Sequence, residues 1–420
     1  MPRLGLILII AFVLRIAVVL APLDWSAPDS IGYEAPAHGL VAGKGYCDTD
    51  GHPTAERPPG YPLFLALVYS IHDSKRAVGV AQALLGTATV FLLERLLRRR
   101  RPEIASRAAL LLAVDPISLG LVPYVLREAL LLFLIAALLL ALDRTSGWKQ
   151  GVTAGLILAA LTLTHSLYVL LGPFLIIGGL VARRRVWPLM MSLAFVAAAV
   201  GAWTLRNRSI GSDQLVLTSY PVPAGELWLV SESTNEWLHD DPTTGFQELH
   251  FREIARLQRE HPGDIAAVKS ELYARAWANL THEPLTVLGR VARINLWYWL
   301  EVPGSVRITL HPRLWLARIA LIPFQWLRLF WAVAAILLLR KRGELGSFWA
   351  ELSTCAFLAV GPALLLPIPR YLSPLTCVID ALAVLGWTLD RQRRLTVTAT
   401  NVAGSVPPSQ GVGGGTLNAG

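Results

Sequence analysis

Residues 24–62 read DWSAPDSIGYEAPAHGLVAGKGYCDTDGHPTAERPPGYP and follow directly on the first apolar run of the chain. The stretch gathers the acids Asp24, Asp29, Asp48, Asp50 and Glu56 with Tyr33 and a proline-stiffened basic corner, Arg57-Pro58-Pro59-Gly60-Tyr61-Pro62. The run before it is apolar for about the 20 residues that a membrane span needs, and long apolar runs resume after it. A polar segment so placed is a loop at a membrane face. No other connection between the apolar runs has this density of chemistry.

Composition sets the frame around that loop. Of 420 residues, 54% are hydrophobic and 16% charged, against about 25% charged in soluble domains. The deficit lies in the apolar runs, so the chain reads as an all-α polytopic membrane protein. The net charge of +9 would suit nucleic acid, but the arginines form short clusters between apolar runs, which is the positive-inside pattern. Nucleic acid is therefore excluded as a partner. Cys47, Cys355 and Cys377 form no disulfide framework. Arg3 and the run behind it resemble a signal peptide, but Arg15 interrupts the run and a retained first helix is expected.

Apolar length predicts about ten spans, near 4–22, 77–97, 105–122, 127–142, 151–164, 168–182, 187–205, 321–339, 349–367 and 373–389. The 151–182 region is expected to be a hairpin broken at Thr164-His165-Ser166. With the N-terminus inside, Arg98–Arg101, Arg144, Lys149, Arg183–Arg185, Arg340–Arg342, Arg391, Arg393 and Arg394 all fall on the cytoplasmic side. One domain, 1–390, then carries two outer segments, 23–76 and 206–320, and ends in a polar, Gly-rich tail, 391–420, expected to be disordered. Within 23–76 the run YPLFLALVYSIH is too short to span and is expected to lie at the surface or re-enter. Within 206–320, helix patterns run from Phe246 to Glu260 and from Asp264 to Asn279. Beyond Pro284, Leu285, Leu288, Val291, Leu296, Trp297 and Trp299 suit an interfacial helix, or else a small cap with a Trp-lined core.

The order Asp29-x-x-x-Tyr33, Gly43-x-Gly45-Tyr46, Glu56-Arg57-Pro58-Pro59-Gly60-Tyr61-Pro62 and then apolar LFLALVY resembles the C-type glycosyltransferases, the GT-C fold. The branch it is most similar to is the bacterial relatives of the protein O-mannosyltransferases (the dolichyl-phosphate-mannose-protein mannosyltransferase-like family) and of the lipid A aminoarabinose transferase. The resemblance implies an enzyme that takes a sugar from a polyprenyl phosphate at the outer face of the plasma (inner) membrane. The acceptor would be a lipid, a glycan or a protein, and the sugar would be transferred with inversion. Asp29 would match the catalytic acid of the first outer loop. Many relatives have a second acid beside it; here Ser30 stands there, which leaves Asp24 as a rival.

Further roles follow from the same resemblance. Arg57, restrained by the prolines beside it, would bind the donor phosphate with Arg206 of WTLRN and Arg370 of PRYLSP. A plain headgroup anchor or a Glu56–Arg57 pair is the bland alternative. Glu56 would lie beside the site, and Glu128, at the start of the fourth span, would be a further acid or simply a helix N-terminal charge. Tyr33, Tyr61, His165 and Tyr371 would line the substrate. No metal ligand is assigned; Glu56 with His165 leaves room for a divalent cation and no more. Arg15 and Arg328 lie inside spans, where a charge is functional, snorkels or pairs with an acid. Two other readings stand beside this one. An O-antigen ligase or polymerase would lack the 29–62 pattern, and a lipid or solute transporter would show duplicated halves and a midplane site.

Overall fold

A computed structural model describes residues 2–22, 27–211, 222–232, 244–290, 292, 315–360 and 373–404. Their regular structure is helical apart from one isolated bridge, Cys47 to Pro53. In chain order the helices are α1 (Pro2–Leu20), α2 (Ile31–Val41), α3 (Gly60–Tyr69), α4 (Lys75–Arg100), α5 (Pro102–Val114), α6 (Pro116–Gly120), α7 (Glu128–Arg144) and α8 (Gly147–Thr164). They continue with α9 (Leu171–Val181), α10 (Trp187–Ser209), α11 (Val222–Glu232), α12 (Thr244–Glu260), α13 (Ile265–His282) and α14 (284–290). The last three are α15 (Trp315–Lys341), α16 (Trp349–Val360) and α17 (Thr376–Gly404).

Local chemistry explains the boundaries. Ser74 caps α4 by accepting from the Ala77 N–H at 3.1 Å, and Arg98, Arg99 and Arg100 in its last turn oppose the negative end of the helix dipole. The expected span at 105–122 is broken, because Pro116 forces Asp115 into an extended conformation (φ −61°, ψ 118°). Asp115 then caps the short α6 through the Ser118 N–H at 2.6 Å. The hairpin expected at 164–166 is present: α8 ends at Thr164, and His165 is extended before a 3₁₀ turn over Ser166–Leu170.

The buried core joins most of the long helices through Leu112, Ile135, Leu158, Leu175, Phe357 and Leu385. Side chains facing away from that core are apolar too. On α15, Leu327, Phe330, Val333 and Leu337 are all more than half exposed, while Arg328, Ala332, Ala335 and Leu339 are buried. A helix apolar on its inner and its outer side belongs in lipid. Four helical stretches are long and apolar enough to cross a membrane, Lys75–Arg100, Trp187–Ser209, Leu321–Lys341 and Ser373–Leu395, with shorter apolar helices at Leu4–Leu20, Gly60–Tyr69 and Ser166–Val181. Successive helices pack side by side, α4 on α5 and α7, α7 on α8, and α8 on α10. Their basic ends at Arg98–Arg101, Arg144, Arg183–Arg185 and Arg340–Arg342 thus gather at one end of the bundle, and the 27–62 segment at the other.

The structure adds to the sequence reading elsewhere. The first outer loop is largely helical: α2 and α3 pack on each other, and α3 buries Tyr61, Leu65 and Tyr69 while Leu63 and Leu67 face outward. The proline-stiffened corner leads straight into α3, because Pro59 has helical angles (φ −79°, ψ −14°) and serves as its N-cap. A proline ring fixes the φ that a first helical turn uses, so the stiff corner starts a helix. The tail expected to be disordered from 391 continues α17 to Gly404, since its first helix breakers are Gly404 and Pro407.

Between α10 and α15, α11, α12 and α13 bury Ala224, Ile254, Leu257, Val268 and Leu272 with Trp228 packed on them, a small cap with its own core. On α14, Leu285 and Leu288 are exposed. Val291, Leu296, Trp297 and Trp299 lie outside the described residues. Glu253 ties the cap together, accepting from Arg256 at 2.5 Å and Arg275 at 2.8 Å. The Arg256 hydrogen bond, opposed by partial burial, holds its carboxyl below the ordinary glutamate value. A depressed acid stabilises the fold above its unfolded value and loses that contribution as pH falls through its folded value. Amide exchange in α12 and α13 is therefore expected to accelerate below about pH 4.3, and Glu253→Gln to remove most of that acid sensitivity. An unchanged acid profile in the variant contradicts the assignment.

Candidate active site

A single 3₁₀ turn, Pro28–Ser30, carries Asp29 into the head of α2; the Ser30 hydroxyl fixes it by donating to the Ala27 carbonyl at 2.7 Å. Farther on, Gly43 and Gly45 have φ of 70° and 83°, left-handed angles that only glycine adopts without strain. They turn the chain so that Tyr46 faces back into the segment. Its phenol donates to the Arg57 carbonyl at 2.8 Å. Burial pushes the Tyr46 phenol well above its ordinary value, so it remains an O–H donor at physiological pH.

Arg206, at the end of α10, clasps the same segment. It donates to the Tyr46 carbonyl at 2.8 Å and to the Thr54 carbonyl. Its guanidinium lies over the rings of Tyr46, at 5.2 Å, and Trp203, at 5.0 Å. The WTLRN pattern points Arg206 at a phosphate; the structure engages it with loop backbone.

Arg57 and Asp29 meet in the middle of this frame. Arg57 Nη2 lies 3.4 Å from Asp29 Oδ1, with the Arg57 side chain 12% and Asp29 27% exposed. Arg57 also lies over the Tyr33 ring at 5.2 Å, and Arg127 approaches the same ring at 5.8 Å. A β-carbon at Gly32 would stand 3.1 Å from Arg57 Nε, so the glycine gives the guanidinium its place. Glu56 Oε1 stands 3.8 Å from Arg57 Nε, but its side chain is 41% exposed. The structure thus brings Asp29, Arg57, Tyr33 and Arg127 together, with Glu56 at the edge.

Tyr61 stands behind this group, edge-on to Tyr33 at 5.1 Å and fully buried. Its hydroxyl donates to Gln82 Oε1 at 3.1 Å, and the Gln82 amide donates to the carbonyls of Val122 and Tyr124 at 2.8 and 2.7 Å. That relay fixes the short segment leading to Arg127 and Glu128, both buried. Glu128 is the first residue of α7, where the positive end of the dipole favours a carboxylate. On the other side, a β-carbon at Gly60 would come within 2.6 Å of Thr164 Oγ1 and 2.8 Å of the Leu163 carbonyl. The glycine lets the start of α3 press against the Thr164–His165 turn.

His165 is buried and caps that turn, its Nδ1 accepting from the Leu167 N–H at 3.3 Å. Glu56 for its part is set against Arg57 Nε at 3.8 Å. Asp48, Asp50 and His52 make the one cluster of three ligand-type side chains among the described residues, ligand atoms within 4.8 Å. Asp48 Oδ1 there accepts from the backbone N–H groups of Asp50 and His52, the pattern of a polar turn. Arg370, Tyr371 and Asp24 lie outside the described residues. Sequence reasoning left out Tyr46 and Gln82 as site builders; a lone amide in an apolar span was the signal for Gln82.

No curated protein sequence matches the chain. Residues 56–204 match the sequence profile of the family described as dolichyl-phosphate-mannose-protein mannosyltransferase. The match begins at the Glu56-Arg57 corner and ends two residues before Arg206.

Among solved structures, the oligosaccharyltransferase AglB of Archaeoglobus fulgidus, in complex with an inhibitory peptide and a dolichol-phosphate, is similar over 96% of this chain and 52% of its own, at 13% identity and a TM-score of 0.51. ArnT of Cupriavidus metallidurans, bound to undecaprenyl phosphate, is similar over 96% of this chain and 81% of its own, at 15% identity and a TM-score of 0.44. The chain spans only 52% of AglB, so that likeness is one of fold. The chain has the GT-C fold of polytopic membrane glycosyltransferases, and its residues 56–204 carry the mannosyltransferase family pattern.

Proposed function

We propose that this protein is a membrane glycosyltransferase that moves a sugar from a polyprenyl-phosphate donor to a lipid, glycan or protein acceptor, with inversion. The observation that carries the reading is the Asp29–Arg57 pair, 3.4 Å apart and partly open, in the segment where the family match begins. The acceptor hydroxyl attacks the anomeric carbon as the bond from that carbon to the phosphate oxygen breaks. Asp29 takes the hydroxyl proton, and the polyprenyl phosphate leaves with the electron pair. Arg57 neutralises charge growing on the phosphate, and alignment of donor and acceptor supplies much of the acceleration.

In this reading Arg206, Tyr46 and Tyr61 are positioning residues, since each holds backbone or a neighbouring side chain. Arg127 is a second phosphate ligand beside Arg57 at Tyr33. Arg370 remains a proposed third, with Tyr371 beside the substrate. The basic helix ends gather away from Asp29, and by the positive-inside rule they lie in the cytoplasm. The reaction therefore belongs to the outer face of the plasma membrane.

The donor assignment is tested by binding. Liposomes carrying the full chain should retain labelled polyprenyl phosphate over polyprenol, and Arg57→Gln should weaken that retention by about tenfold or more, as loss of a charge-assisted contact requires. Equal retention of polyprenol, or an unaffected variant, removes the phosphate role.

A further inference from the structure

At the end of the bundle away from Asp29, helix termini enclose a cavity of about 730 Å³. Its walls are the ends of α4 and α7, the starts of α8 and α10, and the Ser347–Trp349 segment leading into α16. Apolar side chains, Leu142, Pro188 and Leu189, line part of it, and Arg100, Arg101, Arg184 and Arg185 supply its positive charge.

The four arginines are not equivalent. Arg100 is taken by Asp143 at 2.6 Å and Glu351 at 2.7 Å, and Arg101 by Glu344. Arg184 gives one N–H to the Gly346 carbonyl at 3.4 Å. Among the described residues no carboxylate pairs with Arg184 or Arg185, and both are exposed. Two guanidinium groups therefore remain available to an anion.

The helix starts around them add to the positive field. Ser146 precedes α8 and Val186 precedes α10, and neither makes a side-chain capping bond. Each helix thus presents first-turn N–H groups and roughly half a positive charge to this end of the bundle. Exposed Trp148, Trp187 and Met190 flank the same region, and Leu156 continues the apolar exterior about two turns up α8. Tryptophan beside basic residues at the end of an apolar stripe is the pattern of a membrane–water interface.

We propose that this cavity binds the phosphate diester headgroup of an anionic phospholipid. Arg184 and Arg185 hold the phosphate, and the acyl chains lie along the exposed apolar sides of α8 and α10. A cationic pocket between membrane helices opening beside lipid meets such headgroups at high local concentration. A soluble anion would not use the apolar flank. The site is separate from the transfer centre and does not depend on the glycosyltransferase reading.

The test uses the full chain in nanodiscs of phosphatidylcholine with and without phosphatidylglycerol, followed by native mass spectrometry of the lipids retained on extraction. Wild-type protein should keep phosphatidylglycerol over phosphatidylcholine. The double variant Arg184→Gln with Arg185→Gln should lose that preference about tenfold or more, as removal of charge-assisted hydrogen bonds implies. Arg342→Gln with Arg393→Gln removes equal charge at the same end outside the cavity and should keep it. Equal loss in both double variants means diffuse surface charge and overturns the proposal, as does a wild type with no preference. Displacement of the lipid by inorganic phosphate at comparable concentration assigns the pocket to a soluble phosphate and overturns the lipid assignment.

Discussion

Asp29→Asn is expected to lower sugar transfer by about 10²- to 10⁴-fold, the range that a positioned general base contributes. Asparagine keeps the shape of the side chain and cannot accept the acceptor's proton. The fold should survive, because asparagine keeps the shape of the side chain and the acid, which meets Arg57 at 3.4 Å, is 27% exposed. Arg57 keeps the Tyr33 ring and Glu56 as neighbours in the variant. Donor retention should persist in the variant, since Arg57 is left in place and freed of one anionic neighbour. The expected signature is thus a fallen kcat with donor binding kept. Glu56→Gln is the comparison: its side chain is 41% exposed and lies at the edge of the group, and it should cost far less. If Glu56→Gln silences the enzyme and Asp29→Asn does not, the two acids exchange roles.

The second large effect lies in the membrane. Arg328→Met is expected to destabilise the protein by about 3–5 kcal/mol, a large share of the 5–15 kcal/mol typical of a whole domain. Arg328 donates to Asp115 at 2.8 Å, Asp380 at 3.1 Å and Gln325 at 2.7 Å, and all four side chains are buried. Arg15 joins from α1, donating to Ser118 Oγ at 3.2 Å and the Ala113 carbonyl at 3.1 Å. Removing Arg328 leaves the Asp115 and Asp380 carboxylates in a low dielectric without that guanidinium. Replacing the whole set is different, because a buried ion pair exchanged for neutral groups is often near neutral. Arg328→Met combined with Asp115→Asn and Asp380→Asn should recover much of the thermal stability lost in the single variant. Failure to recover any would mean that packing, not charge, carries the loss. Asp115 also caps α6, ahead of the segment that delivers Arg127 and Glu128, so mild damage here should reach the candidate site.

These two sites differ in how far the sequence discloses them. The long helices were legible because apolar length and basic ends are local features. The Asp29–Arg57 meeting was foreshadowed only by motif order, since the two residues are 28 apart and joined through a folded loop. The partners of Arg328 were not legible. Asp115 sits in a Val-Asp-Pro turn that reads as a helix cap, and its contact with Arg328 crosses 213 positions. Arg206 shows the opposite limit. Its motif points to the donor phosphate, while tertiary packing turns its guanidinium onto the Tyr46 and Thr54 carbonyls. The helical nature of 31–41 was hidden by its Gly and Pro residues, Pro36 lying inside α2, which tertiary contacts with α3 override.

The central claim is that this chain consumes a polyprenyl-phosphate sugar. It is tested most directly by incubating wild-type protein in proteoliposomes with a labelled polyprenyl-phosphate sugar and an envelope extract as acceptor source, and following label and lipid together. The account predicts that free polyprenyl phosphate appears in step with label in the acceptor fraction, and that neither appears with Asp29→Asn. An intact donor after exposure to folded wild-type protein and a full envelope extract would contradict it, all the more so if the same vesicles moved lipid or solute without cleaving it.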